Sequence, residues 1–397
     1  MSTTSTSRPT GGTTAGRPPR AVPGTGKVST KVSGRPGFYR SYDQELALFN
    51  TRPKQVAVAA VILLGLLGPF ILQDALLRTF AIAFVFVIGA LGLNIVTGLA
   101  GQVSLGHAFF LGVGAYTAAA ISGDPDGRTI GFGIQEMWVW LPAAGLVAAA
   151  FGVAVAPLAT RLRGLYLAIV TLGLVFIGEH VFREWSDLTG GAGVGRVAAT
   201  PQLFGFNFAE STEFFSREQQ LYLLMFVLML VFALGARNLG RSRVGRAFSA
   251  VRDRDMAAEM MSIDLPRTKS LAFGISSFYA GCAGALLYTV SGFFDPASFN
   301  LLLSVQFIAM VLIGGAGTVG GTIAGALFVS LLPTLTRELP NFIPLISRQV
   351  TDTPNVFQIE QVLYGLLIVV FLLFEPRGLF GIWVRIRTYW KSWPFSY

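Results

Sequence analysis

Residues 79–123 read TFAIAFVFVIGALGLNIVTGLAGQVSLGHAFFLGVGAYTAAAISG, a run of 45 residues without one Asp, Glu, Lys or Arg. A helix that crosses a lipid bilayer needs about 20 apolar residues, so this run is too long for one span and fits two. We expect the Gly-rich turn Gly98–Gly101 to separate them.

The rest of the chain repeats this apolar character. Of the 397 residues 53% are hydrophobic and 13% are charged, whereas about 25% of residues are charged in soluble domains. The sequence predicts an all-α polytopic membrane protein with about ten transmembrane helices. Outside 79–123, one span each is expected at 55–72, 137–160, 164–178, 219–236, 270–294 and 361–374, with two more in 296–336 around the Gly-rich turn Gly314–Gly321.

Basic residues set the expected orientation and the domains. Nine Lys and Arg lie before Gln55, and cytoplasmic segments of membrane proteins are enriched in both. We therefore predict a disordered basic cytoplasmic tail (1–54), a transmembrane domain (55–376) and a cytoplasmic C-terminal tail (377–397). Residues 184–218, which we call the long loop, contain five acidic residues and are predicted to be external. The net charge of +9 is explained by this topology and does not indicate nucleic-acid binding.

Residues 237–269, which we call the charged loop, separate two apolar runs. Two short helices are predicted in it, the first capped by Ser242, the second covering Asp255–Met261, capped by Asp253 and stopped before Pro266. A charged loop of this kind is either a docking surface for a soluble partner or an ordinary cytoplasmic loop, and composition alone does not distinguish the two.

The spans contain few groups that could carry chemistry. Two histidines and one cysteine, Cys282, cannot form a metal cage or an intramolecular disulfide, so we expect no metal, no cofactor and no catalytic residue. Ionisable groups are nearly absent, which disfavours an ion-coupled transporter. Polar side chains within spans either line a substrate pathway or hydrogen-bond between packed helices. The candidates for the pathway are Asn94, Gln102, Ser104, His107, Gln306 and Thr318.

Two short segments also resemble each other. Residues 98–103 (GLAGQV) and 314–319 (GGAGTV) each follow one apolar run and precede another. Such repeats occur in transporters built by duplication, where interrupted helices mark the substrate region.

Four segments, in this order, resemble LivM-like permease subunits of bacterial branched-chain amino-acid ABC importers. They are 93–116 (LNIVTGLAGQVSLGHAFFLGVGAY), 188–193 (LTGGAG), 245–258 (GRAFSAVRDRDMAA) and 314–320 (GGAGTVG). The resemblance covers about residues 76–379. It differs from the usual pattern at Asp255, where the family has Glu, and at Ser262, where it has Gly.

The resemblance implies a multi-pass protein of the bacterial cytoplasmic membrane that works with partners. These would be a second, related permease, two ATP-hydrolysing subunits and an extracytoplasmic binding protein, so this chain itself would not be an enzyme. The same likeness leaves urea, short amides or aromatic acids open as substrates. A self-sufficient secondary transporter is the alternative from another class.

The resemblance also assigns residues to two docking faces. A coupling segment for the ATPases would include Gly245, Arg246, Phe248, Arg252, Asp255, Ala257, Ala258 and Glu259. The loop facing the binding protein would include Thr189, Gly190, Gly191 and Gly193.

Overall fold

The computed structural model describes residues 52–162, 164–191, 193–212, 214–336, 356–375 and 377–392. The predicted tail 1–54 lies almost wholly outside the described residues. The helices are α1 (Arg52–Ile71), α2 (Asp74–Asn94), α3 (His107–Ser122), α4 (Met137–Arg161), α5 (Leu165–Glu184), α6 (Ser186–Thr189), α7 (Arg217–Arg241), α8 (Arg243–Asp253), α9 (Asp255–Met260), α10 (Leu265–Ser291), α11 (Leu301–Gly314), α12 (Val319–Thr336), α13 (Val356–Phe374) and α14 (Gly378–Ser392).

Short strands occur only at loops within the described residues. β1 (Arg196–Val197) pairs antiparallel with β4 (Phe293–Phe294), and β2 (Gln202–Leu203) pairs antiparallel with β3 (Phe206–Asn207). The protein is therefore an all-α membrane protein, as predicted.

Six helical segments of the described chain are long and apolar enough to cross a membrane: 74–99, 137–161, 165–184, 217–241, 265–291 and 296–314. Four shorter apolar helices cover 58–71, 107–122, 319–334 and 361–371. Each of the ten predicted spans therefore has an apolar helix, but within the described residues only six segments are long enough to cross a membrane.

Helix α10 is the centre of the packing. It lies against α4, α3 and α2, and most of its middle is buried. A β-carbon at Gly114 of α3 would overlap the backbone of Gly281 in α10, so these two helices touch backbone to backbone. Small residues allow this approach in membrane proteins, where packing and not water drives helix association.

Two helix boundaries differ from the prediction for clear local reasons. α10 begins at Leu265, not at residue 270, because the Asp264 carboxylate accepts the Arg267 N–H (3.0 Å) and Pro266 lies in the first turn, where proline is tolerated. The helix before the first Gly-rich turn continues through a π-helical turn, Ile95–Leu99, so the break covers residues 100–106.

Candidate coupling and translocation site

The break before α3 is closed by side chains from two distant helices. The Leu105 N–H donates to Thr171 Oγ1 of α5, and the Ala108 N–H donates to Ser304 Oγ of α11, both at 2.9 Å. These contacts satisfy N–H groups that a helix start leaves without an intrahelical partner. The sequence analysis missed both residues, because nothing local connects a lone Thr or Ser in an apolar span to a break so far along the chain.

The two Gly-rich turns meet each other. Asn94, at the end of α2, accepts the Gly317 N–H at 2.7 Å, and a side chain at Gly98 would collide with the Gly317 backbone. Gly317 has φ 83° and Gly315 has φ 112°, backbone conformations that glycine tolerates best. The two segments that resemble each other in sequence are thus in direct contact.

Arg252 connects the charged loop to this junction. Its Nη1 donates to the Gly98 carbonyl at 3.0 Å, and its side chain also lies against Gly101. The guanidinium additionally pairs with Asp253, with Nη2 and Oδ1 3.1 Å apart. One arginine of the charged loop therefore contacts both the π-helical turn, at Gly98, and the break that follows it, at Gly101.

Helix α8 is placed by its cap and by one buried ring. Ser242 Oγ accepts the Gly245 N–H at 3.2 Å, which confirms the predicted cap. Phe248 is fully buried and fixes the inner face of the helix. The predicted Asp253 cap of α9 is wrong: the N-cap residue is Arg254, without a side-chain bond, because the Asp253 carboxylate pairs with Arg252.

Helix α9 is joined to α10 by a charge pair and ends in a defined turn. Lys269 Nζ lies 2.9 Å from Asp255 Oδ2, and the lysine side chain is only 2% exposed. At the C-terminus the Ser262 N–H donates to Glu259 O (2.9 Å) and the Ile263 N–H to Ala258 O (3.1 Å), the two bonds of a Schellman motif. Ser262 has φ 62°, which explains why glycine suits this position.

The eight predicted coupling residues therefore divide into three groups. Gly245, Phe248 and Ala258 are buried, whereas Arg252 and Asp255 bond to neighbouring elements. Arg246, Ala257 and Glu259 are exposed. The exposed surface also includes Met256, Met260 and Met261. A shallow cavity of about 370 Å³ lies beside them, lined by residues that include Ala250, Ala257 and Ile263.

All six pathway candidates make at least one hydrogen bond within the protein. Asn94 joins the two turns, while Gln102 Nε2 donates to Ala100 O and Ser104 Oγ accepts the Gly106 N–H inside the first break. Gln306 Nε2 donates to the Tyr364 hydroxyl of α13, and Thr318 Oγ1 donates to the nearby Gly315 O.

His107 differs from the other five. Its ring packs edge-on against Phe307, with centroids 4.9 Å apart, and hydrogen-bonds to the Gly89 backbone. Its Nε2 is buried and finds no hydrogen-bond partner among the described residues.

The long loop is held by a buried arginine. Arg196 is 5% exposed and donates to the carbonyls of Leu188, Ala119 and Ile130. Burial lowers the pKa of its guanidinium, an effect that the neighbouring Tyr116 opposes. Ala119 lies in the last turn of α3, where a helix presents free carbonyls and favours a cation.

The four predicted binding-protein contacts do not share one surface. Thr189 and Gly190 are buried, Gly191 is half-buried and Gly193 is exposed. The Gly193 N–H donates to Asp295 Oδ2 at 2.9 Å, which fixes the tip of this segment to the start of the 296–314 segment.

Comparison with known proteins identifies the family. Residues 75–372 match the family described as the permease component of branched-chain amino acid transport systems. The chain is 30% identical over 347 residues to the high-affinity branched-chain amino acid transport system permease protein LivM of Escherichia coli, covering 83% of this chain and 76% of that protein. No solved structure matches.

Two further relatives widen the comparison. The permease LivH of the corresponding Salmonella typhimurium system is 26% identical over 304 residues, which is 74% of this chain and 90% of LivH. The autoinducer 2 import system permease LsrC of Enterobacter sp. is 36% identical over 116 residues, 28% of this chain and 34% of LsrC. The long match and the apolar helices show that this chain is a multi-pass membrane protein and belongs to the family of permease components of branched-chain amino acid transport systems.

Proposed function

We propose that this protein is a membrane-spanning subunit of an ATP-driven importer for branched-chain amino acids. The observation that carries the proposal is the contact between Arg252 and the helix break: the Gly98 carbonyl accepts from Arg252 at 3.0 Å, and Gly98 touches the second break at Gly317. A force on α8 would therefore reach both interrupted helices directly, without any element in between.

The exposed side of the charged loop supports docking by a soluble subunit. Met256, Met260 and Met261 are more than two-thirds exposed, although methionine is usually buried. Methionine side chains adapt their shape to an apolar groove. Together with Arg246, Ala257 and Glu259 they form the face that we assign to the ATP-hydrolysing partner.

The relatives support a second permease as a partner. LivM and LivH are both permease proteins of branched-chain amino acid systems. We assign this chain a second, related permease, two ATP-hydrolysing subunits and an extracytoplasmic binding protein that docks on the long loop near Gly193. We also assign ten spans, an arrangement with both termini and the charged loop in the cytoplasm and the long loop outside, which the distribution of Lys and Arg supports.

Movement of substrate would follow a change in the packing of the two breaks. ATP binding in the partner subunits would shift α8, and rigid-body motion of the helices would open the path to one side and then to the other. His107 is the pathway candidate with an unsatisfied buried nitrogen, and it begins the helix that follows the first break. It is therefore the first residue that we assign to the path.

In an alternative proposal, the same helices and partners import a second class of substrate. The likeness to LsrC, an autoinducer 2 import permease, indicates that helices of this type serve a solute other than an amino acid. Urea, short amides and aromatic acids belong to this alternative, in which the binding protein would decide selection.

Purification from the native host tests the proposal. The tagged protein is solubilised in mild detergent, and the co-purifying chains are identified by mass spectrometry. Recovery of a second permease with ATP-hydrolysing subunits is expected, together with leucine-stimulated ATP hydrolysis after reconstitution with the binding protein. Ala257→Glu should abolish recovery of the ATP-hydrolysing subunits, whereas Ser211→Glu, an exposed change in the long loop, should not.

Two results would overturn the proposal. If the protein purifies alone and moves solute in vesicles without ATP, it is a secondary transporter, and His107 becomes the coupling residue to examine. If the assembly forms but urea or an aromatic acid replaces leucine as the stimulating solute, the substrate is wrong and the coupling role stands.

A further inference from the structure

The hairpin formed by β2 and β3 has an unusual tip. Its two loop residues, Phe204 and Gly205, have φ 51° and φ 80°. Hairpin turns with positive φ at both positions favour Asn and Gly, whereas a bulky side chain in this conformation is rare. The chain nevertheless places phenylalanine there.

A carboxylate holds this tip in place. Glu136 accepts the Phe204 N–H at 3.0 Å and the Gly205 N–H at 3.3 Å. The Phe204 ring itself packs little against the protein, because the residue is 87% exposed. A strained backbone that is stabilised from outside and presents an exposed aromatic ring points to a function for the ring.

The surroundings of the tip indicate what the ring contacts. Glu136 directly precedes α4, which is one of the segments long enough to cross a membrane, so the hairpin lies at a membrane boundary. Trp138, in the first turn of α4, is 59% exposed. Trp140 ties the hairpin to α4 by donating from Nε1 to the Thr200 carbonyl at 3.2 Å.

The chemistry of this boundary suits aromatic rings. Trp and Tyr concentrate where hydrocarbon meets the lipid headgroups, and Trp, Phe and Leu form the apolar face of segments that lie in this region. Phe206, 45% exposed on the same hairpin, adds a second ring, and Phe132 before α4 adds a third.

We propose that the hairpin 202–207 is a membrane-interface anchor, in which the Phe204 ring enters the headgroup region of the bilayer beside α4. Glu136 is the positioning residue that keeps the ring pointed at the lipid. The anchor would hold the long loop at a constant height above the membrane. This inference does not depend on the substrate or on the ATP-hydrolysing partners.

Spin labels measure the depth of the ring. In a Cys282→Ala background, a nitroxide is attached at Phe204→Cys and the assembly is reconstituted in lipid nanodiscs. Val194→Cys, exposed at the tip of the long loop, provides the control in water, and Leu146→Cys, exposed in the middle of α4, provides the control in lipid. Saturation is measured with oxygen and with a water-soluble nickel chelate.

The expected result is a ratio of oxygen to nickel accessibility at position 204 that lies between the two controls and at least threefold above position 194. When Glu136→Gln is added, the ratio of oxygen to nickel accessibility at position 204 should fall toward that at position 194. Equal values at 204 and 194 would overturn the anchor. So would immobilisation of the label at 204 only after a purified binding protein is added, because the ring would then be a protein contact.

A second variant tests the anchor if the protein with Phe204→Cys fails to fold. Phe204→Trp keeps an aromatic ring at the tip, and lipids brominated near the carbonyl should quench its added fluorescence. Absence of any additional quenching relative to the wild-type chain would equally reject the anchor.

Discussion

Two arginines hold the chain at the two ends of helix α3 in different ways. Arg196 is buried and donates to three carbonyls, one of them Ala119 in the last turn of α3. Arg252 has a side chain that is 41% exposed, and it bonds one backbone carbonyl, that of Gly98, at the break that precedes α3. It shares its guanidinium with the exposed Asp253.

The difference shows which end of α3 is able to move. Buried hydrogen bonds to a charged group are worth about 1.5–3 kcal/mol each, whereas an exposed ionic contact contributes about 0–1 kcal/mol. The Arg196 side chain is shielded from water far more fully than that of Arg252. We infer that the long-loop end of α3 is fixed and that the charged-loop end can be released during a transport cycle.

The largest effect is expected from a charge pair that fixes the charged loop to α10. Asp255→Ala would leave the buried Lys269 ammonium without this partner, a change that typically costs about 3–5 kcal/mol. Thermal unfolding in detergent should show the loss, and Asp255→Leu with Lys269→Met should recover most of it. If Asp255→Ala leaves thermal unfolding unchanged, the charged loop as a whole is loosely held, and the contrast between the two ends of α3 needs revision.

A test of the fixed end follows. Arg196→Ala removes the donor to three backbone carbonyls and should destabilise the protein by about 3 kcal/mol. Arg128→Ala is the matched control, since Arg128 is exposed and donates to the Gly190 carbonyl of the same loop; about 0.5–1 kcal/mol is expected. Similar losses for the two variants, in the same unfolding assay, would contradict the contrast between the buried and the exposed arginine.

The sequence predicts the apolar helices well because an apolar run of bilayer length has few alternatives. It predicts the Ser242 cap for a similar reason, since a cap depends on neighbours three residues away. Contacts such as Thr171 to Leu105 and Ser304 to Ala108 depend on how distant helices pack. No local pattern contains that information, so the residues that close the break were missed.

The same reasoning explains the error at Asp253. Its position before α9 favours a cap, but its carboxylate lies next to Arg252 and pairs with it. A charged partner that is adjacent in space replaced the weaker bond to a backbone N–H. The resemblance to the family gave the coupling residues as a set, but only the structure separates those that face outward from those that are buried.

A smaller and stabilising effect is expected at the end of α9. Ser262 has positive φ in the Schellman turn, so Ser262→Gly should stabilise the protein by about 1 kcal/mol. Ser249→Gly, within α8, is the opposite control and should destabilise it by about 0.5–1 kcal/mol. The turn positions Met260 and Met261. If Ser262→Gly stabilises the protein and leaves recovery of the ATP-hydrolysing subunits unchanged, the turn already has the conformation in which the partner docks.

The smallest effect on stability is expected at Arg252, together with a clear effect on transport. Arg252→Ala should change the free energy of unfolding by less than about 1 kcal/mol, since the side chain is partly exposed. Transport per ATP hydrolysed in vesicles should fall about tenfold, because α8 would no longer pull on Gly98. Asp253→Ala is the control: it removes the other partner of the guanidinium and should leave this ratio unchanged. A loss of ATP hydrolysis and transport in equal proportion would mean that Arg252 only helps the partner to dock, and that the release of α3 is controlled elsewhere.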